Sequence, residues 1–338
     1  MIMKFAEEQQ SLSNRSYRYY YSTLSIRQQR CYDKLLNGYL HHKKRITVEM
    51  DNREDISIVN QAIVNDAPEL FYLNNYKYIY YEFQRIAKVD PIYSLGILRS
   101  NQIKNEINSN INRIFRQCSN KSDFEKVKTI HDYLLDHIKY DEQANSHSIV
   151  GALVENYAVC EGISKAFKYM ADLIGLHSII VYGNAYDSST NMMQSHSWNQ
   201  VLVDGINYHI DVTFDLTISE LTGIRRYDYF LLSDAQIKND HFFSSIPICS
   251  ISFEYYTANG LYAENKSRLK AILAKHMQIE DTIVVKMPDF KNDNQIIVQA
   301  VLDIASEVID KISMTSKDIT VECNENRMIF GIKVSEVS

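Results

Sequence analysis

Apolar positions along the chain repeat with two periods, and the switches between them outline its elements. Tyr32, Leu35, Leu36, Tyr39 and Leu40 follow helical spacing, as do Ile103, Ile107, Ile111, Ile114 and Phe115. Between these helices, residues 77–83 and 92–98 are rich in β-formers and predict strands. A polar break follows at Cys118-Ser-Asn-Lys-Ser122. Ser122-Asp-Phe-Glu125 then fits a capping box ahead of an apolar stripe through Val127, Ile130, Leu134 and Ile138. After Cys160, the positions Ile163, Ala166, Phe167, Met170, Ala171 and Ile174 predict another amphipathic helix, with Gly175 just past its end. Residues 178–183 read as a strand, and 184–194, polar with methionines, as a loop over a cleft. Asp204-Gly205 between two apolar alternations is a strong hairpin signal. Toward the C-terminus, Leu269, Ile272 and Leu273 fit a helix, 282–286 a strand and 296–312 a long helix. Residues 319–322 and 328–334 form a terminal hairpin turning at Asn324-Glu-Asn.

These patterns predict three domains: 1–118, an N-terminal α+β domain; 119–250, which holds the distinctive chemistry; and 251–338, a small α/β domain with no visible site. The length of 338 residues suits two or three domains. A content of 45% hydrophobic and 23% charged residues is that of a globular chain and excludes wholesale disorder. The net charge of −6 lacks the basic excess of a nucleic-acid binder. No apolar run approaches the roughly eighteen residues of a membrane span. The first ten residues, with acid by Glu7, have no apolar core of the signal-peptide kind, so a cytoplasmic location is expected. Neither a nucleic-acid nor a membrane partner is predicted, and the sequence names no oligomeric state.

The five cysteines, Cys31, Cys118, Cys160, Cys249 and Cys323, are odd in number and never form a C-x-x-C pair. That argues against a disulfide framework and a zinc knuckle. Cys160 differs from the others in position. At a helix start, the macrodipole and unpaired N–H groups favour an anion, lower a thiol's pKa and suit a developing oxyanion. Two further segments carry partners, Ser195-His196-Ser-Trp198 and His209-Ile-Asp211-Val-Thr213. A two-residue turn at 204–205 sets Val203 opposite Ile206, Trp198 opposite Asp211 and His196 opposite Thr213. His196, Trp198 and Asp211 then share one face, with His196 and Asp211 as diagonal neighbours. A carboxylate in that place holds one imidazole nitrogen and leaves the other to serve a nucleophile. A helix-start Cys, a strand His and an Asp on the paired strand supply nucleophile, base and orienter in chain order. Alone, each residue has a plain structural role: a packed thiol, a satisfied polar strand residue and a turn former.

In sequence, Val159-Cys160-Glu161-Gly162, His196-Ser197-Trp198-Asn199 and Tyr208-His209-Ile210-Asp211-Val212-Thr213 resemble the motifs of the transglutaminase-like superfamily, with bacterial members the nearest. Lys128-Thr-Ile-His131-Asp-Tyr-Leu134 and Ile138-Lys-Tyr140-Asp141 resemble the helix preceding that core. The resemblance covers about 120–245. Residues 65–72 resemble the leader domain of some bacterial members. It implies an α+β fold, a papain-type core with the nucleophile helix packed on an antiparallel sheet, flanked by two smaller α/β domains. It implies Cys160 as nucleophile, His196 as general base and acid, Asp211 as orienter, and Trp198 as a substrate-side wall or shield. His209 and His131 read as structural. Three departures stand out. Asn156 occupies a place where similar proteins have glycine, and Asn tolerates positive φ better than most residues. Val150 replaces an aromatic. No Gln precedes Cys160 more closely than Gln143, so a papain-type side-chain oxyanion donor is missing.

The chemistry this implies is cysteine-dependent acyl transfer on peptide or protein amides through a thioester, completed by water (peptidase or amidase) or by an amine (transamidase). Hydrolysis is the default, since no amine-binding signature is seen. The rival from another class is a binding or scaffolding protein that keeps the core without turnover. A Cys/His/Asp metal site is disfavoured, because His147, His196 and His209 lack ligand spacing. No metal and no cofactor are predicted.

Overall fold

The computed structural model describes residues 18–187, 192–244, 246–277, 281–288, 294–312 and 317–336. The first ten residues, read above for a signal peptide, and 188–191 of the predicted cleft loop lie outside the described residues. The chain forms two compact units. One combines residues up to Asn184 with Ser195–Asn207, and the other combines Ala185–Gln194 with Tyr208–Ser338.

In the first unit, helices Ile26–Leu40 and Asp55–Asp66 flank an antiparallel sheet in the order Ile46–Glu49, Ile86–Tyr93, Leu73–Tyr81. Tyr32, Leu35 and Tyr39 of the predicted stripe are buried with Val48, Ile63 and Val89. The middle strand differs from the expected 92–98. Ala87 and Val89 alternate into the core over Ile86–Tyr93, and extended Gly96 opens the next helix, Ile97–Cys118. That helix buries Ile103, Ile107, Ile111 and Ile114, as their spacing predicts. Helix Asp123–His137 begins at the predicted capping box, with Ser122 and Glu125 capping reciprocally. Helix Cys160–Leu173 turns Ile163, Ala166, Phe167, Met170 and Ala171 inward, and Gly175 follows at φ +77°. Strands Ser178–Asp187, Met192–Val203 and Ile206–Ile210 follow along the chain. Asp204 and Gly205, at φ 49° and 82°, make the two-residue turn that joins the last pair. The predicted loop is thus shorter than 184–194, since both strands extend into it.

In the second unit, helix Val212–Thr222 leads to a three-stranded antiparallel sheet, ordered Thr282–Lys286, Ile329–Glu336, Lys317–Asn324. Helices Lys266–His276 and Asn294–Ile312 supply Leu269, Ile272, Leu273, Val301 and Ala305 to a core with Val285 and Phe330. The predicted strand, long helix and terminal hairpin of this region are all present. Among the described residues, no helix is long and apolar enough to cross a membrane.

Candidate active site

Cys160 is the first residue of its helix, and the chain reaches it through a tightly packed approach. A single π-type turn, Gly151–Glu155, ends at Asn156 with φ 62°, so the asparagine takes the left-handed conformation expected of it. Strand Tyr157–Ala158 then pairs in parallel with Lys139–Tyr140. The loop beneath is held by Ser146, whose hydroxyl donates to the Asp141 carbonyl (2.8 Å) and accepts from the Gln143 N–H (2.7 Å). The Ser146 carbonyl accepts the Val159 N–H (3.2 Å). Gly162 presses against that same carbonyl, where a Cβ would collide with it. This close backbone contact is the physical reason for a glycine two residues after the cysteine.

The structure brings Cys160 and His196 together within the first unit. Burial alone pushes the half-buried Cys160 thiol up. The hydrogen bond and charge of His196, together with the N–H and hydroxyl of Ser197, outweigh burial and bring the thiol below its ordinary value. The helix N-terminus favours the thiolate in the same sense. The strand carrying His196 is anchored to the nucleophile helix by neighbouring residues. Ser197 and Ser164 hydroxyls meet at 3.1 Å, and the Asn199 amide donates to the Ser164 carbonyl at 3.0 Å. Trp198 is 1% exposed and stacks on the His196 ring, with centroids 5.8 Å apart and planes at 18°. It backs the imidazole, as the shared face of residues 196 and 198 on a strand requires.

Asp211 belongs to the second unit, and its setting corrects the expected length of the strand. The strand ends at Ile210, so Asp211 and Thr213 are not paired strand residues. Asp211 instead caps helix Val212–Thr222. Its Oδ1 accepts the Thr213 N–H (2.9 Å) and the Phe214 N–H (3.2 Å). Side-chain capping competes with ladder pairing, and the apolar run after Asp211 continues as a helix. The side chain is fully buried, and its Oδ2 meets His241 Nε2 at 2.9 Å. His241 Nδ1 meets Asp240 Oδ1 at 2.6 Å, and Asp240 Oδ2 accepts the Tyr229 hydroxyl at 2.6 Å. Sequence reasoning missed His241 and Asp240. They lie far along the chain from Asp211, and no local period links them.

The other histidines are accounted for by their neighbours. His209 is buried and meets Asp234 Oδ1 at 2.9 Å; burial pushes its pKa down to about 4 despite the carboxylate, which leaves the ring neutral near pH 7. His131 is buried against Asp132. Exposed His147 bridges Glu161 (2.9 Å) and Glu142 (3.0 Å); burial lowers its pKa, but the two carboxylates raise it further, to a net value above the ordinary one. In the second unit, His209, Asp234 and Cys249 hold possible ligand atoms within 4.8 Å of one another. Burial pushes the Cys249 thiol up to about 12, so a metal there must displace a tightly held proton.

Residues 111–212 match a family model described as the transglutaminase-like superfamily. Over these residues the chain is similar to a transglutaminase-like core. Cys160, His196 and Asp211 all fall inside the matched span. The chain is also similar to kyphoscoliosis peptidase of Mus musculus, at 26% identity over 157 residues. That match covers 41% of this chain and 23% of the mouse protein, so the chain spans less than a quarter of that relative's length. A crystal structure of a TGase is similar at 16% identity and a TM-score of 0.28, with 50% of each chain covered. The matched span begins in helix Ile97–Cys118 and ends at the first residue of helix Val212–Thr222.

Proposed function

We propose that the protein is a thiol hydrolase or acyltransferase acting on peptide or protein amides, with Cys160 as nucleophile, His196 as general base and acid, and Asp211 as the orienter of His196. The observation that carries this reading is the hydrogen-bonded Cys160–His196 pair at a helix N-terminus, with the thiol drawn below its ordinary pKa. The Cys160 sulfur attacks the amide carbonyl as a thiolate, its proton held by His196. The carbonyl oxygen takes the negative charge beside the Cys160 backbone N–H. Collapse re-forms the carbonyl and breaks the C–N bond, His196 gives its proton to the departing amine, and a thioester remains. Water then releases an acid, or a second amine forms a new amide. Trp198 shields the imidazole from solvent. The superfamily match and the mouse peptidase favour protein or peptide substrates, and hydrolysis is the default because water needs no dedicated subsite.

A peptide chloromethyl ketone tests this reading. Mass spectrometry is expected to show one adduct on Cys160 in the native protein and none in Cys160→Ala. An unlabelled native protein, or equal labelling of the variant, leaves a scaffold carrying a silent core.

A further inference from the structure

Asp211 is the end of a buried chain of polar side chains in the second unit. Asp211, His241, Asp240 and Tyr229 are each at most 2% exposed. His241 presents one nitrogen to each of two carboxylates, at 2.9 Å to Asp211 and 2.6 Å to Asp240. Both carboxylates already accept from other donors. The Thr213 and Phe214 N–H groups donate to Asp211, and the Tyr229 hydroxyl and the Asn326 amide (3.3 Å) donate to Asp240. Either neutral tautomer of His241 would turn a ring lone pair toward a carboxylate oxygen. An imidazolium donates to both. The Phe214 and Tyr229 rings pack on it, at centroid distances of 4.8 and 5.6 Å, and the Arg327 guanidinium lies 5.5 Å from the Tyr229 ring centre. The Asp211 carboxylate is therefore fixed on one oxygen by the helix N-terminus and on the other by a histidine.

We propose that His241 is a positioning residue for acyl transfer: by bridging Asp211 and Asp240 with both ring nitrogens, it fixes the orientation and the negative charge of the carboxylate that directs His196. This rests on the reaction proposed above. His241 touches neither substrate nor the reacting sulfur in this role. Its effect reaches the chemistry through Asp211, as partners behind a functional carboxylate commonly do. Without the bridge, Oδ2 of Asp211 loses a charged donor in a dry setting. Its carboxyl then protonates at higher pH, and the acid limb of the rate profile moves up.

The test uses the full chain, with rates divided by the fraction of molecules labelled at Cys160 by the chloromethyl ketone. Turnover is followed on a casein digest. His241→Asn loses the donor toward Asp211, and its kcat per labelled site is expected to fall about 30-fold, with KM within twofold and the acid limb raised by about one pH unit. His241→Gln places an amide donor near the Nε2 position and is expected to recover part of the rate while keeping the raised limb. Should His241→Asn fail to fold, Asp240→Asn, which weakens the far side of the bridge, is expected to lower kcat about fivefold with the same shift. Unchanged kcat and limb in a folded variant overturn the positioning role while the triad stands. A native protein that neither labels nor turns over overturns both. Nitrogen-15 NMR of histidine-labelled protein at pH 7 gives a further reading. Two protonated ring nitrogens on His241 support the bridge, and a neutral tautomer overturns it.

Discussion

His196→Ala is expected to lower turnover roughly 10⁴–10⁶-fold with little change in fold, the scale seen when one member of a cooperating nucleophile–base pair is removed. The reason lies in the shared geometry. His196 supplies the hydrogen bond and charge that offset the cost of burying the Cys160 thiolate, so its loss removes both the proton acceptor and much of the thiolate. The same change leaves the Ser164–Ser197 and Asn199–Ser164 anchors in place, so the strand should stay docked on the nucleophile helix. Steady-state kinetics and a thermal melt on the same preparation check both halves. A variant that melts like the native protein and keeps its rate within tenfold contradicts the assigned role.

Asp211 caps a helix and, in the proposed reaction, orients His196, and two substitutions probe these roles. Asparagine is as good a helix cap as aspartate, so Asp211→Asn retains the bonds to the Thr213 and Phe214 N–H groups. It loses the charge that orients an imidazole, and turnover is expected to fall about 10⁴-fold. Asp211→Ala loses the cap as well, worth about 1 kcal/mol. It also leaves His241 buried beside a vacated partner, and breaking such a buried pair costs about 3–5 kcal/mol. Asn breaks the same pair, because with its oxygen on the cap its amide N–H₂ faces the His241 donor, so both variants should be inactive and destabilised in urea unfolding, Ala by about 1 kcal/mol more for the lost cap. Native-like stability of either variant contradicts the buried bridge to His241.

The parts of this account legible in the sequence are those governed by local rules. The capping box at Ser122, the start of a helix at Cys160, its buried face, and the turn at Asp204-Gly205 each depend on a few neighbouring residues. The Cys160–His196 meeting was legible only as three motifs in order, because the helix and strand that carry them are joined by contacts no local period encodes. The strand Ile86–Tyr93 was misplaced because β-rich residues continue past Tyr93, while an extended glycine at 96 starts a helix. Asp211 was read as a strand residue because a perfect hairpin register carries it there. The competing pull of two helix N–H groups ends the strand at Ile210, three residues before Thr213. The His241–Asp240 pair gave no warning: its partner is thirty residues away, and isolated polar residues before Phe242-Phe243 look like an ordinary strand end.

In the proposed reaction His196 activates Cys160, and the pH dependence of Cys160 alkylation by iodoacetamide reports that activation without a substrate. A thiol lowered by a neighbouring imidazole gains its thiolate at lower pH, so the rate should rise through a midpoint below the ordinary thiol value of about 8.5. The midpoint should move upward in His196→Ala, because burial then acts without its counterweight. A native midpoint at or above about 8.5 that does not move in the variant contradicts the account.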